Sequence, residues 1–418
     1  MKQIFFFHSI LWFLIIGLLT LFGFEKTGNA ETISKNNERQ SATTTTSSMV
    51  TPITIFMCGD VMIGRGIDQV LPHPSDPLIH EPFMRSARGY VDIAEQTNGP
   101  ISRPVSYSHI WGDALEEWER MAPDVRIINL ETSVTESDDY WQDKSIHYRM
   151  HPDNIPAITA ARIDFCSLAN NHILDWGYLG LRETLETLRK VDVKFAGAGK
   201  NLQGAEAPAV IKVKEKGRVI VFSIGAVTSG IPRGWVASSN SPGVNLLKDF
   251  SDKTVRDIKE RVREVKREGD LVIVSIHWGS NWGYRIPFVH VEFAHNLIDH
   301  AGVDVIHGHS SHHVRPIEVY KNKPILYGCG DFLNDYEGIS GHEEFRDDLV
   351  LMYFIRVDQS SGSLVGMRMT PLQIKNFKLN RASNADVLWL KDTLNRECKK
   401  HGTKVELNTD NILTLHWD

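Results

Sequence analysis

The sequence predicts a layered α/β sandwich with mixed sheets, and three observations lead to this fold class. Short apolar runs typical of buried strands alternate along the chain with segments of helical periodicity. Two apolar runs on either side of Glu215-Lys216-Gly217-Arg218 predict a hairpin, which adds antiparallel pairing. The chain has 418 residues, 42% of them apolar, which is enough for a large core. A mixed sheet fits a layered sandwich better than a purely parallel one.

The first 50 residues are predicted to lie outside the globular core. Residues 1–30 include an apolar stretch from Ile4 to Phe24 that is long enough to span a bilayer, and Gly28-Asn29-Ala30 offers small residues for cleavage. This segment is predicted to be a signal peptide or an N-terminal membrane anchor. We therefore expect an exported protein, either anchored and facing outside the cytoplasm or, after cleavage, secreted or periplasmic. Residues 31–50 are polar and predict a flexible tether.

Residues 51–372 are predicted to form the core domain. Helical spacing of leucine predicts a helix over residues 178–191, and spacing of valine and isoleucine predicts another over 252–268. Residues 68–110 are rich in proline with little periodicity, which predicts an insertion loop. Residues 373–418 predict a helix and short strands that pack on the core. Buried strands are predicted for the apolar runs Ile53–Cys58, Val125–Ile128, Phe165–Leu168, Leu271–Ile276 and Val303–Ile306.

Each of these apolar runs is followed by side chains of types that commonly bind metals. The motifs are Gly59-Asp60-Val61-Met62, Asn129-Leu130-Glu131, Ala169-Asn170-Asn171-His172, His277-Trp278-Gly279 and Gly308-His309-Ser310-Ser311-His312. Open α/β sheets bind their ligands at the carboxyl ends of the strands. For a single motif, a strand-end cap or a hydrogen-bonded core histidine explains the pattern equally well. Five motifs that combine carboxylate, amide and imidazole groups predict one metal site.

The donor types indicate which metals suit the site. Imidazole, carboxylate and amide groups suit Mn, Zn or Fe, and no cysteine occupies a ligand-like position. Such a set, with open coordination positions, activates water and binds an anionic oxygen. The four cysteines, Cys58, Cys166, Cys329 and Cys398, are expected to be free. The net charge of −6 without a basic block argues against nucleic acid as a partner.

The five motifs, in this order, resemble those of the CapA type of bacterial capsule synthesis protein. That family is linked to poly-γ-glutamate and belongs to the calcineurin-like metallophosphoesterase superfamily. The resemblance covers roughly residues 53–335, including Gly59 to Arg65 and the Ala-Asn-Asn-His-x-x-Asp-x-Gly pattern from Ala169 to Gly177. It implies an α/β/β/α sandwich of the metallophosphoesterase type with mixed sheets.

The resemblance also implies roles for individual residues. His172 would donate a proton to the leaving group, and Asp175 would orient it. Asp175 could instead cap the following helix. Arg65 is a candidate for binding a substrate carboxylate or phosphate, with a structural ion pair as the alternative. The implied metal ligands are Asp60, Glu131, Asn171, His277, His309 and His312.

Several positions depart from the family pattern. Met62 stands where the wider superfamily has a histidine, and Glu131 stands where it has a bridging aspartate. The number of metal ions, one or two, therefore remains open. Asn281 replaces a carboxylate found in many CapA proteins, which makes it a substrate-binding candidate that alters the accepted substrate. Asp331 stands where asparagine is common, and it either orients a ligand histidine or belongs to a tight turn.

Several functions fit these observations. The favoured one is a metal-dependent hydrolase or transferase that acts on an anionic polymer or phosphoester, with poly-γ-glutamate implied by the resemblance. Capsule-synthesis membrane proteins are then expected partners, and the N-terminal segment is the expected membrane contact. The alternatives are a non-catalytic scaffold for capsule assembly, which the missing histidine at Met62 favours, and a general extracytoplasmic phosphodiesterase.

Overall fold

The computed structural model describes residues 52–418, and these form two packed sheets with helices on their outer faces. In this part of the chain the helices are α1 (Arg65–Val70), α2 (Arg88–Asn98), α3 (Ala114–Met121), α4 (Pro156–Ala160), α5 (Gly177–Lys190), α6 (Leu202–Glu206), α7 (Asp252–Val265), α8 (Phe288–Ala301) and α9 (Asn384–Cys398). The predicted helices over 178–191 and 252–268 are thus confirmed as α5 and α7.

The strands of the same residues are β1 (Ile53–Val61), β2 (Val125–Leu130), β3 (Ser133–Val134), β4 (Arg149–Met150), β5 (Phe165–Ser167), β6 (Lys194–Ala196), β7 (Ala198–Gly199), β8 (Ala209–Val213), β9 (Gly217–Gly225), β10 (Gly243–Val244), β11 (Leu271–His277), β12 (Val305–His309), β13 (Ile317–Tyr320), β14 (Lys323–Leu326), β15 (Asp331–Leu333), β16 (Leu349–Val357), β17 (Leu364–Ile374), β18 (Leu379–Arg381), β19 (Thr403–Leu407) and β20 (Leu413–Trp417). All five predicted core strands are present, and the predicted hairpin is the antiparallel pair β8–β9.

Both large sheets mix parallel and antiparallel pairing, as predicted. The ten-stranded sheet has the order β19-β20-β17-β16-β1-β2-β5-β6, with β15 beside β1 and β18 beside β17. Strands β1, β2, β5 and β6 are parallel, whereas β16 and β17 are antiparallel. The six-stranded sheet has the order β13-β14-β12-β11-β9-β8.

Three apolar layers hold the sandwich together. Alternate residues of a strand face opposite sides of the sheet, so Ile55 and Met57 of β1 join the layer between the sheets. Phe56 and Cys58 join the outer layer, where helices cover the first sheet. On the second sheet, helices α7 and α8 pack over β9, β11 and β12. The order of layers is therefore α/β/β/α, which confirms the predicted fold class.

The C-terminal segment continues the first sheet rather than forming a separate layer. Strand β17 crosses the predicted boundary between residues 372 and 373, and β18 and β20 both pair with it. Helix α9 and strands β19 and β20 lie close to the predicted positions, and Val387, Leu390 and Leu394 pack into the layer between the sheets. Strand pairing therefore joins residues 373–418 to the first sheet, and the segment packs on the core.

The predicted insertion loop over residues 68–110 contains regular structure. Helix α2 lies within it, and the short 3-10 turn His109–Trp111 ends it. Tyr90, Val91 and Ala94 are buried and give α2 its apolar face. Residues 68–110 therefore combine irregular segments with one short helix, whose apolar face is too small to stand out as a periodic pattern in the sequence.

The predicted leader and tether, residues 1–30 and 31–50, lie outside the described residues. Within residues 52–418, none of the helices combines the length and the hydropathy that a bilayer span requires. The four cysteines are all buried and free, as predicted.

Candidate metal centre

The candidate ligands meet because parallel strands end at the same edge of a sheet. In the first sheet, Asp60 of β1 lies opposite Asn129 of β2, and Glu131 follows two residues later. In the second sheet, His277 at the end of β11 lies opposite His309 at the end of β12. The turn after β5 carries Asn171. Two packed sheets thus present their donor groups to one another at one end of the sandwich.

Asp60 lies at the centre of this group and is fully buried. Its Oδ1 accepts a hydrogen bond from Asn129 Nδ2 at 2.7 Å, and its Oδ2 accepts one from the backbone N–H of Ser310 at 3.1 Å. The preceding residue, Gly59, has no Cβ to clash with the next strand, since a Cβ would lie 1.6 Å from the carbonyl oxygen of Gly330. These contacts hold the Asp60 carboxylate in one orientation.

The two strand-end histidines face each other beside Asp60. His277 Nδ1 lies 2.8 Å from His309 Nδ1, and His309 Nδ1 lies 3.9 Å from Asp60 Oδ1. On its other side, His277 Nε2 lies 2.9 Å from Asn171 Oδ1 and 3.9 Å from Glu131 Oε1. Burial lowers the pKa of both imidazoles, so they are neutral near pH 7 and keep a free lone pair for a metal.

The site concentrates negative charge in a buried place. Burial raises the pKa of Asp60, and the nearby Asp331 carboxylate raises it further. Burial and then the charge of Asp60 raise the pKa of Glu131. Within residues 52–418, no lysine or arginine nitrogen lies within 4.0 Å of the Asp60 or Glu131 carboxylates, whose ionic contacts are with histidines. A cation such as a metal ion would stabilise the charged form of these two adjacent buried carboxylates, which have no lysine or arginine partner.

The arrangement fits a divalent metal. Asp60, His277 and His309 each offer a ligand atom, and these atoms all lie within 4.8 Å of one another. Asp60, His312 and Asp331 form a second group by the same measure. A mixed oxygen and nitrogen set of this kind suits Mn, Zn or Fe, as predicted, and does not single out one of them.

His312 is held between Asp331 and Asn281. Its Nδ1 lies 2.8 Å from Asp331 Oδ1, and its Nε2 lies 2.9 Å from Asn281 Nδ2. Burial lowers the pKa of His312, but the Asp331 carboxylate more than offsets this, and the pKa lies above its usual value. Asn281 is exposed and lies at the rim of the site. Asp331 thus contacts a ligand candidate, in agreement with the functional alternative considered for it.

The predicted catalytic pair is also assembled. His172 Nδ1 lies 2.6 Å from Asp175 Oδ2, and His172 Nε2 faces the centre, 3.7 Å from Glu131 Oε1. Asp175 also accepts a hydrogen bond from the backbone N–H of Tyr148 at 2.7 Å. Helix α5 has Trp176 as its N-cap and no side-chain cap, so Asp175 orients His172 rather than capping the helix.

Lys144 is a member of this group that the sequence motifs did not include. Its Nζ lies 2.5 Å from Asp175 Oδ1 and 3.3 Å from His172 Nδ1, and it also donates to the backbone oxygen of Asn171. Burial and the charge of Lys144 outweigh the effect of Asp175 and lower the pKa of His172 to about 4. A polar segment between two short strands carries Lys144, so no local pattern in the sequence marked it.

The prediction that Arg65 binds substrate is not supported by its position. Its guanidinium is buried and pairs with Glu81 at 2.9 Å and with Asp335 at 2.5 Å. It also lies over the rings of Tyr90 and Tyr148, 3.9 Å and 4.4 Å from their centroids. With its donors occupied by two carboxylates, Arg65 corresponds to the alternative, a structural ion pair.

Comparison with known proteins finds relatives whose names refer to polyglutamine synthesis and capsule biosynthesis. A probable polyglutamine synthesis accessory protein of Mycobacterium tuberculosis is 49% identical over 364 residues, which cover 87% of this chain and 96% of that protein. The capsule biosynthesis protein CapA of Bacillus anthracis is 25% identical over 323 residues, covering 77% of this chain and 68% of that protein. The PGA biosynthesis protein CapA of Bacillus subtilis is 29% identical over 229 residues, which cover 54% of this chain and 57% of that protein.

The family model described as bacterial capsule synthesis protein PGA_cap matches residues 54–336, a range that contains every candidate ligand. This range is more than half of the chain and ends five residues after Asp331. The chain therefore belongs to the bacterial capsule synthesis protein family PGA_cap.

Proposed function

We propose that this chain is a metal-dependent hydrolase or transferase that acts on an anionic polymer or phosphoester in poly-γ-glutamate biosynthesis or export. The names of the similar proteins, which refer to polyglutamine synthesis and capsule biosynthesis, support the choice of pathway. One observation carries the enzymatic part of the proposal. His172, with Asp175 behind it, points its free nitrogen into a buried centre of carboxylates and imidazoles.

The metal would be held by Asp60, His277 and His309, with Glu131 and Asn171 beside them. Bound there, it supplies Lewis acidity, which polarises a phosphoryl or carbonyl oxygen and lowers the pKa of water. The ligands themselves are rigid, since hydrogen bonds from Asn129 and Ser310 fix Asp60. Ser275 Oγ lies 2.9 Å from His309 Nε2, which orients that ring.

His172 would move the proton. The low pKa leaves its imidazole neutral at pH 7, with the Nδ1 proton directed to Asp175 and the Nε2 lone pair directed to the centre. Nε2 would accept a proton from the attacking water or hydroxyl group, the Asp175 carboxylate would stabilise the resulting imidazolium, and Nε2 would then give that proton to the leaving group. The family resemblance implies that His172 is a proton donor. We modify this role, because a neutral imidazole must first take up the proton that it later gives.

A non-catalytic scaffold would place different requirements on the structure. It needs neither the His172–Asp175 pair nor an oriented proton path, and a contact surface would carry the function instead. A scaffold does not require the observed geometry, in which a proton carrier faces a charged, buried centre. For this reason we favour the enzyme, with export, membrane attachment through the N-terminal segment and capsule-synthesis membrane proteins as further parts of the proposal.

The test compares His309→Ala and His172→Ala with the unaltered full chain. Metal content is measured after dialysis against Mn²⁺ or Zn²⁺, and hydrolysis is measured with poly-γ-glutamate and with a phosphodiester. We expect His309→Ala to lose metal, and His172→Ala to keep metal while turnover falls roughly 10²- to 10⁴-fold. Full activity in His172→Ala, or metal loss as severe as in His309→Ala, would contradict the assigned roles. Hydrolysis of the phosphodiester alone would point to the general phosphodiesterase.

A further inference from the structure

A pair of hydrogen-bonded tyrosines borders the candidate metal centre. Tyr148 Oη lies 3.1 Å from Tyr336 Oη. The ring of Tyr148 packs edge-on against the ring of His172, with 4.6 Å between the two centroids. The ring of Tyr336 packs in the same way against the ring of His312, at 5.4 Å. The two tyrosines therefore extend from the proposed proton carrier to one of the ligand candidates.

The hydrogen bond between the two hydroxyls runs from Tyr148 to Tyr336. Tyr148 is fully buried, and within residues 52–418 the only hydrogen-bond partner of its hydroxyl is Tyr336 Oη. A buried hydroxyl hydrogen without an acceptor costs free energy, so Tyr148 donates and Tyr336 accepts. The hydrogen of the Tyr336 hydroxyl is then free to point elsewhere.

That hydrogen has only a weak acceptor in the described part of the chain. Apart from Tyr148 Oη, the one protein atom in hydrogen-bond contact with Tyr336 Oη there is Met62 Sδ, at 3.6 Å. A thioether sulfur is a weak acceptor. Tyr336 is half-buried, in contrast to Tyr148. A ligand with a stronger acceptor can therefore take the hydrogen bond from Met62.

A short turn after β15 fixes Tyr336 next to the centre. The side-chain oxygen of Asn334 accepts a hydrogen bond from the backbone N–H of Tyr336 at 3.0 Å. The side-chain nitrogen of Asn334 donates to Asp331 Oδ2 at 2.7 Å, and Asp331 contacts His312. Because one side chain holds both neighbours, the Tyr336 hydroxyl is preorganised, and a fixed donor loses little conformational entropy when it binds a ligand.

The Tyr336 hydroxyl keeps its hydrogen at neutral pH. Burial raises the pKa of Tyr336, and the negative charge of Asp331 raises it further. Tyrosine is protonated near pH 7 even without such effects. Tyr336 therefore acts as a hydrogen-bond donor and not as a proton acceptor.

A cavity of about 240 Å³ beside Tyr336 gives a ligand access to it. Roughly 10–15 Å³ is enough for one water molecule, so this space admits a much larger group. Among the described residues that line the cavity, Lys375 is the only cation, against the carboxylates of Glu337, Asp347 and Asp348. Like charges repel, so we expect the anionic group of a ligand at the metal centre and an uncharged part in the cavity.

We propose that the Tyr336 hydroxyl donates a hydrogen bond to an anionic oxygen of the substrate at the metal centre. The inference rests on the proposed function and adds a substrate-binding residue to it. The anionic oxygen belongs to a phosphate group or to a carboxylate of a glutamate polymer, and both can accept this bond. The competing interpretation is that Tyr336 only packs against His312 and completes the hydrogen bond with Tyr148.

The test compares Tyr336→Phe with Tyr148→Phe in the full chain loaded with Mn²⁺. Both substitutions keep an aromatic ring and remove the same hydrogen bond between the hydroxyls, so a structural role predicts the same effect for both. Only Tyr336→Phe removes the proposed donor to the substrate. Titration calorimetry measures the Kd of inorganic phosphate and of a γ-linked glutamate oligomer. Mn²⁺ content and thermal unfolding show that each variant is folded and loaded.

We expect Tyr336→Phe to raise the Kd of at least one probe roughly tenfold to hundredfold, as for a lost hydrogen bond to a charged group, and Tyr148→Phe to change it less than about threefold. An effect on phosphate alone identifies a phosphoester as the substrate class, and an effect on the oligomer alone identifies the polymer. Equal Kd values in the two variants, or no binding of either probe to the unaltered protein, would overturn the inference.

Hydrolysis by the unaltered protein is measured separately and decides the proposed function. A protein that binds phosphate through Tyr336 but hydrolyses neither the phosphodiester nor poly-γ-glutamate would overturn the proposed function and leave this inference standing. Hydrolysis combined with equal Kd values in Tyr336→Phe and the unaltered protein would do the reverse.

Discussion

Lys144 Nζ lies 2.5 Å from Asp175 Oδ1 and 3.3 Å from His172 Nδ1, so one cation contacts both members of the proposed proton-transfer pair. Its side chain is 13% exposed, and its partner carboxylate is fully buried. The charge of Lys144 lowers the pKa of His172 and also that of Asp175. Lys144 thereby links the segment before β4 to the catalytic candidates.

Replacing Lys144 by methionine should slow turnover roughly tenfold to hundredfold while leaving metal content unchanged, since it removes an outer partner of the site. Without this charge the pKa of His172 rises, so the acidic limb of the pH–rate profile should move to higher pH. Lys144→Arg keeps the charge and should restore the position of that limb. A slower enzyme with an unmoved acidic limb would show that Lys144 only supports the fold.

Introducing a charge at Asn281 should weaken the binding of an anionic polymer. Asn281→Asp puts a carboxylate at the rim, beside His312, and repulsion of about 1–2 kcal/mol corresponds to a roughly tenfold higher Kd for poly-γ-glutamate oligomers. The effect should shrink at high salt, because ions screen exposed charges. Asn281→Ala is the uncharged control. Titration calorimetry at two salt concentrations checks this, and equal Kd values for the Asp and Ala variants would contradict a substrate-facing position.

Loss of Arg65 should destabilise the fold. Arg65→Met leaves Glu81 and Asp335 buried without their cation, a change that typically costs about 3–5 kcal/mol. Arg263→Met is the matched control, because Arg263 and Glu260 form an exposed pair worth about 0–0.5 kcal/mol. Urea denaturation measures both free energies of unfolding. A small effect of Arg65→Met on stability combined with loss of substrate binding would restore the original substrate-binding prediction.

The protein should lose stability as the pH falls below about 6.5, the usual pKa of histidine. Burial lowers the pKa of His290 to about 4. Between pH 6.5 and 4 the unfolded chain therefore binds a proton at this position that the folded protein does not. Unfolding becomes easier over this range, by on the order of 2 kcal/mol at pH 5 for this one group.

His290→Phe tests this contribution, because the ring of His290 stacks on Trp278 at 4.6 Å and phenylalanine keeps that contact. Thermal unfolding at pH 5 and at pH 7.5 should differ less in the variant than in the unaltered protein. If both proteins lose the same stability between these pH values, His290 is not a source of the acid sensitivity.

The metal-site motifs were predictable because their chemistry depends on local position. Asp60, Glu131, His277 and His309 each follow or end an apolar run, and the carboxyl ends of parallel strands meet. Strand period and strand-end donors are visible in any one segment. The same applies to His172 and Asp175, which are three residues apart and meet within one turn. The contact between His172 and Asp175 therefore depends only on their spacing within one segment.

Contacts between distant segments were decided by the tertiary structure alone. Asp335, which pairs with Arg65, lies 270 residues further along the chain, so neither sequence position indicated the ion pair. Lys144 and the pairing of Asp60 with Asp331 have the same origin. A periodic pattern records which face of an element is buried, but not which element covers it. The order of motifs along the chain was therefore enough to predict the kind of site, whereas the packing of the two sheets decided which charged groups lie in it.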